Sequence, residues 1–248
     1  MEGYGAKTYG ERWSDVYDDL FGARLADDGT DLTVERLVEL SGDGRVLELA
    51  IGTGRVALPL VERGLEVHGI DASQEMLELL QNKPGGEAVA TSLGDIEDVD
   101  VEGEFDLILL VFNTLFALTT QQAQVRCFQN AAHHLGPDGV FVIEAFVPDL
   151  SRFDGGQTVR ASRVQTDRIG LEVSKHDAVS QTVESQHVMI TEGGTRLRPV
   201  YIRYCWPSEL DLMARLAGLR LRERWGGWDR SPFTTTSTSH VSIYEPAT

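Results

Sequence analysis

The sequence predicts an α/β protein, a doubly wound and mostly parallel sheet that carries an inserted antiparallel sheet. Three observations predict it. Through the first 150 residues, short apolar runs alternate with segments of helical period, the pattern of parallel strands joined by crossover helices. One run, "FDLILLVFN", is apolar at nearly every position and so fits a strand buried on both faces. From 158 to 206 the text becomes Val/Thr/Ile-rich and keeps no helical period, after which helix and strand signals return.

The elements follow in order. "TDLTVERLVELSG" places Leu32, Val34, Leu37, Val38 and Leu40 near helical spacing and ends on a glycine stop. "RVLELA" is a buried-type strand. "VALPLVERGL" is a helix in which Pro59 is an irregularity. "EVHGID" is the second strand. "SQEMLELLQNK" is a helix with Ser73 as N-cap and Pro84 beyond its end. "EAVATSLGD" is a weak third strand and "FDLILLVFN" the fourth. "TQQAQVRCFQNAAHHL" is a helix with Val125, Phe128, Ala132 and Leu135 on its apolar side. "PDG" turns the chain into "VFVIEAF", the fifth strand. Three or four antiparallel strands then fill about fifty residues. "PSELDLMARLAGL" is a helix with Pro207 in its first turn, and "RLRERW" and "HVSIYE" complete a sheet of seven strands. The domain reading is a core of residues 1–150 and 207–248, with 151–206 as an inserted lid over a substrate and a homodimer surface.

Composition bounds the function. The chain has 248 residues with 42% hydrophobic and 25% charged residues, enough for a core without staples. A net charge of −17 argues against nucleic acid, whose phosphates need clustered Lys and Arg, but not against a small ligand. Cys127 and Cys205 stand in no metal or redox spacing, so no metal is expected and a reducing, cytoplasmic location fits. The N-terminus has no signal-peptide pattern, and "LILLVF" is too short to span a membrane.

The chemistry concentrates at "ELAIGTGR", between the first strand and its helix. A nicotinamide fingerprint would need glycine where Ala50 and Arg55 stand, and a phosphate loop would need a Lys-Ser/Thr pair that is missing. What remains is a Gly-Thr-Gly turn that lets the backbone approach a ligand with no pyrophosphate. Acidic residues end three successive strands: Glu48, Asp71 and Asp95. A carboxylate at such a place accepts two hydrogen bonds from a ribose diol.

In this order, "VLELAIGTGR", "GIDASQEML", "GDIED", "FDLILLVFN" and "HLGPDGVFVIE" resemble the class I S-adenosylmethionine-dependent methyltransferases over most of the chain. The leading "TYGERWSDVYDDLF" and the insertion look like small-molecule members from bacterial secondary metabolism, including aminosugar N-methyltransferases. Ala50 departs from the family's usual glycine, and Ala117 falls where some of those enzymes carry a histidine. The resemblance implies S-adenosylmethionine as cofactor and S-adenosylhomocysteine as product. It implies a cofactor site of Tyr9, Trp13, Tyr17, Glu48, Ala50, Gly52, Gly54, Asp71, Ala72, Met76, Gly94, Asp95, Ile96 and Phe112. Asp71 would hold the ribose, and Asp95 with Ile96 the adenine. The reaction expected is methyl transfer to N or O of a small molecule. Alternatives are a rearrangement or cyclisation that keeps the cofactor's methyl, or a non-catalytic ligand-binding protein.

Candidate catalytic groups are Tyr9, Glu144 and His240 as general base, with Asn113 orienting the acceptor. Candidates to line the acceptor site are Phe116, Phe146, Tyr201, Tyr204, Trp206, Trp228 and Arg230. Strand alternation puts Tyr204 and Trp206 on one face and Tyr201 on the other, with the covering face left open. His68, His133 and His134 read as structural, and His176 and His187 as facing water.

Overall fold

The computed structural model describes residues 1–18 and 30–247. Asp19, Leu20 and Phe21, the end of the leading aromatic segment, lie outside the described residues. Helix α1 is Thr8–Trp13 and α2 is Thr30–Ser41. Then follow β1 (Val46–Leu49), α3 (Ala57–Glu62), β2 (Val67–Asp71), α4 (Gln74–Gln81), β3 (Ala90–Leu93), β4 (Phe105–Leu110), α5 (Gln121–His134) and β5 (Leu135–Phe146). The insertion forms β6 (Gln157–Val164), β7 (Arg168–Asp177), β8 (Thr182–Thr191) and β9 (Gly194–Arg203). The chain ends with α6 (Pro207–Leu216), β10 (Leu219–Trp225) and β11 (Ser239–Pro246).

The seven-stranded sheet has the order β3-β2-β1-β4-β5-β11-β10. Strands β1 to β5 are parallel, β11 runs antiparallel to them, and β10, antiparallel to β11, runs with them again. The reversal between β1 and β4 places the C-terminal ends of both beside one crevice. Alternation along β4 builds two cores at once: Ile108 and Leu110 join Phe128, Phe141 and Tyr244 on one face, while Leu107 and Leu109 join Leu37, Leu60 and Ile243 on the other. Each such fully buried aliphatic side chain contributes about 1.5–3 kcal/mol.

Three local expectations need correction. Pro59 is no irregularity, because it stands in the first turn of α3, where an amide hydrogen would lack an intrahelical partner. "PDG" lies within β5, and the pairing passes from Phe105↔Leu135 to Leu107↔Val140 around it. The buried face of α5 is Ala123, Gln124, Cys127, Phe128, Ala131 and His134, with Val125 and Ala132 only partly covered. Gln124 is drawn inward because it ties the core to the insertion. Its amide donates to the Arg203 carbonyl at 2.7 Å, and its Oε1 accepts from the Arg203 guanidinium at 2.6 Å. Among the described residues, no helix is long and apolar enough to cross a membrane.

The second sheet is a four-stranded antiparallel meander, β6-β7-β8-β9. Its register fixes which side chains share a face. Arg160, Glu172, His187 and Arg198 form one row, and Val183 and Ile202 belong to the same inner face. Tyr201 is on the opposite, outer face.

Candidate active site

The crevice forms where β1, β2 and β3 end. The turn after β1 needs left-handed backbone at Ala50 (φ 57°) and Gly52 (φ 57°), so the chain doubles back under the ends of the strands. Asp71 pins that turn. Its Oδ2 accepts from the Gly52 amide at 2.8 Å and its Oδ1 from the Ser73 amide at 2.8 Å. Ser73 caps α4 by accepting from the Met76 amide. Above the turn lies α1, brought close because Gly10 has no side chain; a Cβ there would meet Ser73 at 2.3 Å. Tyr9 and Tyr17 project into the space and narrow it to about 130 Å³. Of the residues implied for the cofactor, Tyr9, Tyr17, Ala50, Gly52, Asp71, Ala72, Met76, Gly94, Asp95 and Ile96 line this crevice.

Burial sets the protonation states. Glu48 is 4% exposed; the Ala57 amide donates to its carboxylate, and its Oε2 has no partner among the described residues. Desolvation pushes its carboxyl up to about 8, against the opposing pull of Arg55. Desolvation also raises Asp71, opposed by the amides of Ser73 and Gly52. The Tyr9 phenol is raised by burial and by neighbouring Tyr17.

A second cavity of about 560 Å³ lies between the inner face of the inserted sheet and the ends of β4 and β5. Asn113, Phe146 and Tyr204, all expected near the acceptor, line it. Asn113 is left-handed (φ 66°), and its Oδ1 accepts from the Phe146 amide at 2.7 Å, which joins the ends of β4 and β5. His187 also lines the cavity, and His176 stacks on Phe153 and contacts the Tyr204 hydroxyl at 2.9 Å. Neither histidine therefore faces water as the sequence suggested. The two cavities are neighbours: Asn113 lines one, and the next residue, Thr114, lines the other.

Comparison with known proteins agrees with this geometry. A profile described as a methyltransferase domain matches residues 46–139. The structure of the CcbJ methyltransferase from Streptomyces caelestis superposes with a TM-score of 0.92 at 38% identity, covering 99% of this chain and 100% of that one. The chain belongs to the class I S-adenosylmethionine-dependent methyltransferases. The cypemycin N-terminal methyltransferase of a Streptomyces species is 28% identical over 207 residues, 82% of this chain and 84% of that protein. CalS10, an amino pentose methyltransferase from Micromonospora echinaspora, shares the fold with a TM-score of 0.69 at 22% identity, over 92% and 96% of the two chains.

Within this methyltransferase, several expected residues stand elsewhere. Trp13 does not line the crevice; it lies behind Tyr9, stacked with centroids 5.5 Å apart, and its Nε1 donates to the Pro199 carbonyl at 3.4 Å. Glu48 is buried beneath the turn. Gly54 serves packing, since a Cβ there would press on Leu80 and Leu58. Phe112 lies under the Arg55 guanidinium, 4.5 Å from the ring centroid. On the acceptor side, Phe116 is fully buried behind Phe146, and Tyr201 packs its edge on Tyr4 on the outer face. Trp206 precedes α6 and is 40% exposed. Trp228 packs on the core, and Arg230 pairs with Glu39 at 2.7 Å.

Two candidate bases are also displaced. The Glu144 carboxylate accepts from the Phe112 amide at 3.0 Å, which fixes the end of β4. His240 is fully buried, with Nδ1 2.9 Å from Ser242 Oγ, and lines neither cavity. Sequence reasoning missed Tyr4, Gly5, Ala6, Gly10, Thr114 and Leu118 in the crevice, and Arg152, Arg160, Glu172 and Val183 in the second cavity. The glycines and alanines at 5, 6 and 10 carried a signal: small residues interleaved with Tyr4 and Tyr9 mark a segment that approaches another backbone.

Proposed function

We propose that this methyltransferase transfers a methyl group from S-adenosylmethionine to a nitrogen of a small molecule, a bacterial secondary metabolite. Residues 151–206 would form the lid over that acceptor, with the core (1–150 and 207–248) holding the cofactor. The observation that carries this reading is the pair of adjoining cavities, one at the ends of β1 to β3 and one beneath the insertion. The crevice suits the cofactor by its own chemistry. The Asp71 carboxylate, which accepts from the Gly52, Ser73 and Ala72 amides, keeps acceptor capacity for a ribose hydroxyl. Asp95 and Ile96 stand where an adenine edge would meet an acceptor and an apolar wall. Glu48 holds an orphaned oxygen suited to the amino-acid end. The cofactor supplies a methyl already activated as a sulfonium. The chain's own task is then alignment and exclusion of water, which can lower a barrier by roughly 7–11 kcal/mol.

Nitrogen is favoured over oxygen because the candidate bases are engaged. Burial raises the Tyr9 phenol, Glu144 accepts from the Phe112 amide, and His240 lines neither cavity. An amine that sheds its proton to water before binding needs no strong base, whereas a hydroxyl does. The relatives named as an N-terminal methyltransferase and an amino pentose methyltransferase take acceptors that carry amines, which supports the same choice. The two cysteines are free and buried, which suits a cytoplasmic enzyme.

Thermal melts test the cofactor, and mass spectrometry of S-adenosylhomocysteine formed with candidate amines tests the reaction. At 100 times its dissociation constant, S-adenosylhomocysteine should stabilise the fold by about 2.7 kcal/mol, with no shift from NAD. A shift with NAD alone overturns the reading.

A further inference from the structure

We propose that the acceptor carries an oxyanion, a carboxylate or a phosphate, which binds Arg160 and Arg152 at the charged end of the second cavity. The inference rests on the reading of that cavity as the acceptor site. Its inner face is not uniform. Val183 and Ile202 make one end apolar, together with Phe153 from the opposite wall. The charged row Arg160, Glu172, His187 and Arg198 crosses the sheet toward the other end.

Most of that row is already engaged. Arg198 donates to the Asp15 carboxylate at 3.1 Å and to the Arg12 carbonyl at 3.2 Å. His187 packs edge-on against Trp13, with centroids 5.1 Å apart. Glu172 accepts from Arg152 at 2.5 Å and from Ser174 at 3.2 Å. Two sets of donors are left over. Arg160 is exposed at the rim; among the described residues it forms no hydrogen bond or ion pair, and the buried Nε of Arg152 has no acceptor. A buried donor without an acceptor is costly, and an oxygen from a bound molecule would satisfy it. Planar guanidinium donors fit the oxygens of a carboxylate or phosphate. A competing carboxylate, Asp149, feels the charge of both arginines and accepts from the Ser151 amide and hydroxyl at 3.0 and 2.6 Å. With Asp149 counted, two arginines face two carboxylates, so recognition comes from directed donors and not from net charge. The acceptor would thus be amphipathic, with its apolar part at Val183 and Ile202 and its oxyanion at the arginines.

The test titrates inorganic phosphate, acetate and neutral acetamide into the full chain at constant ionic strength, read by NMR shifts, with and without saturating S-adenosylhomocysteine. Phosphate or acetate should bind saturably and acetamide should not; the tighter of the two identifies the anion. Arg160→Gln should weaken binding at least tenfold while the ligand-free melting temperature holds, Arg160→Lys should retain part of it, and Asp149→Asn should tighten it. Saturation by neither anion, or equal binding in Arg160→Gln, overturns the inference. Failure of S-adenosylhomocysteine to bind counts instead against the cofactor reading, and the titration without it still decides the oxyanion site.

Discussion

The carboxylate of Asp71 accepts from the amide of Gly52 at 2.8 Å, so the end of β2 holds the turn that follows β1 in its left-handed form. The same group accepts from Ser73 at the start of α4. One side chain therefore shapes the crevice from two sides as well as facing the space within it. Asp71→Ala should weaken S-adenosylhomocysteine binding ten- to a hundredfold or more, because each hydrogen bond to a charged group is worth about 1.5–3 kcal/mol. It should also lower the ligand-free melting temperature by several degrees, since a loss of 1 kcal/mol shifts a chain of this size by about 2–4 °C. Asp71→Asn should fall between. Calorimetric titration and melts of the three proteins check this; a variant that melts early but binds like the parent would assign Asp71 to structure alone.

Glu48 should report the charge of what occupies the crevice. Its folded value, about 8, lies above that of the unfolded chain, so its contribution to stability is full below about pH 4.5 and is lost as pH rises through 8. Glu48→Gln, which stays neutral, should flatten that decline, and the gap in melting temperature between variant and parent should widen from pH 5 to pH 8. If the ammonium of the cofactor's amino-acid end lies beside it, binding at pH 7 should release about one proton. Calorimetry of S-adenosylhomocysteine in buffers of different ionisation enthalpy measures the release. It should vanish in Glu48→Gln and with 5′-methylthioadenosine, which lacks that end.

His240 should govern acid stability and not turnover. Desolvation and the nearby Arg224 lower its imidazole to about 4, with Asp211 opposing them. Between about pH 6.5 and 4 the unfolded chain binds a proton that the folded chain does not. Stability therefore falls as pH falls through that window, by up to about 3 kcal/mol from this group. Urea melts from pH 7 to pH 4 should show a shallower loss in His240→Asn than in the parent. A steep acidic limb in the turnover of the parent that disappears in the variant would give His240 a catalytic role instead.

Ala50 holds a left-handed conformation at φ 57°, which a residue with a Cβ adopts only at a cost. Ala50→Gly should raise the melting temperature, with a gain of about 1 kcal/mol after the larger entropy of glycine in the unfolded chain is subtracted. An unchanged or lower melting temperature would mean that the Ala50 methyl supplies packing worth more than the strain.

Trp13 should matter to the cofactor without touching it. It backs Tyr9 over the crevice and is held by Pro199 and His187 of the insertion. Trp13→Ala should weaken S-adenosylhomocysteine binding severalfold. Removal of the insertion, which carries Pro199 and His187, should do the same. Equal affinity in Trp13→Ala would show that Tyr9 keeps its place unaided.

The alternation of apolar runs and helical periods by itself determined the doubly wound sheet, because strand and helix burial leave periods of two and 3.6 along the chain. The same local logic marked Gly52, Asp71 and Asp95, since a turn after a strand and an acid at its end are written within a few residues. It also fixed that Tyr201 lies opposite Ile202 in β9, but Tyr204 and Trp206, read as strand residues too, lie beyond its end at Arg203. Only the tertiary structure decided which face covers the cavity, because alternation carries no sign for inside or outside when both faces are mixed. The tertiary structure also gave Glu144 and His240 their partners: Phe112 and Ser242 depend on how strands end and pack. Arg160 and Arg152 were not legible in the sequence. What singles them out is that Arg160 and the Nε of Arg152 find no acceptor among the described residues, and that is settled only when Glu172, Asp149 and Asp15 have taken the partners that the fold brings to them.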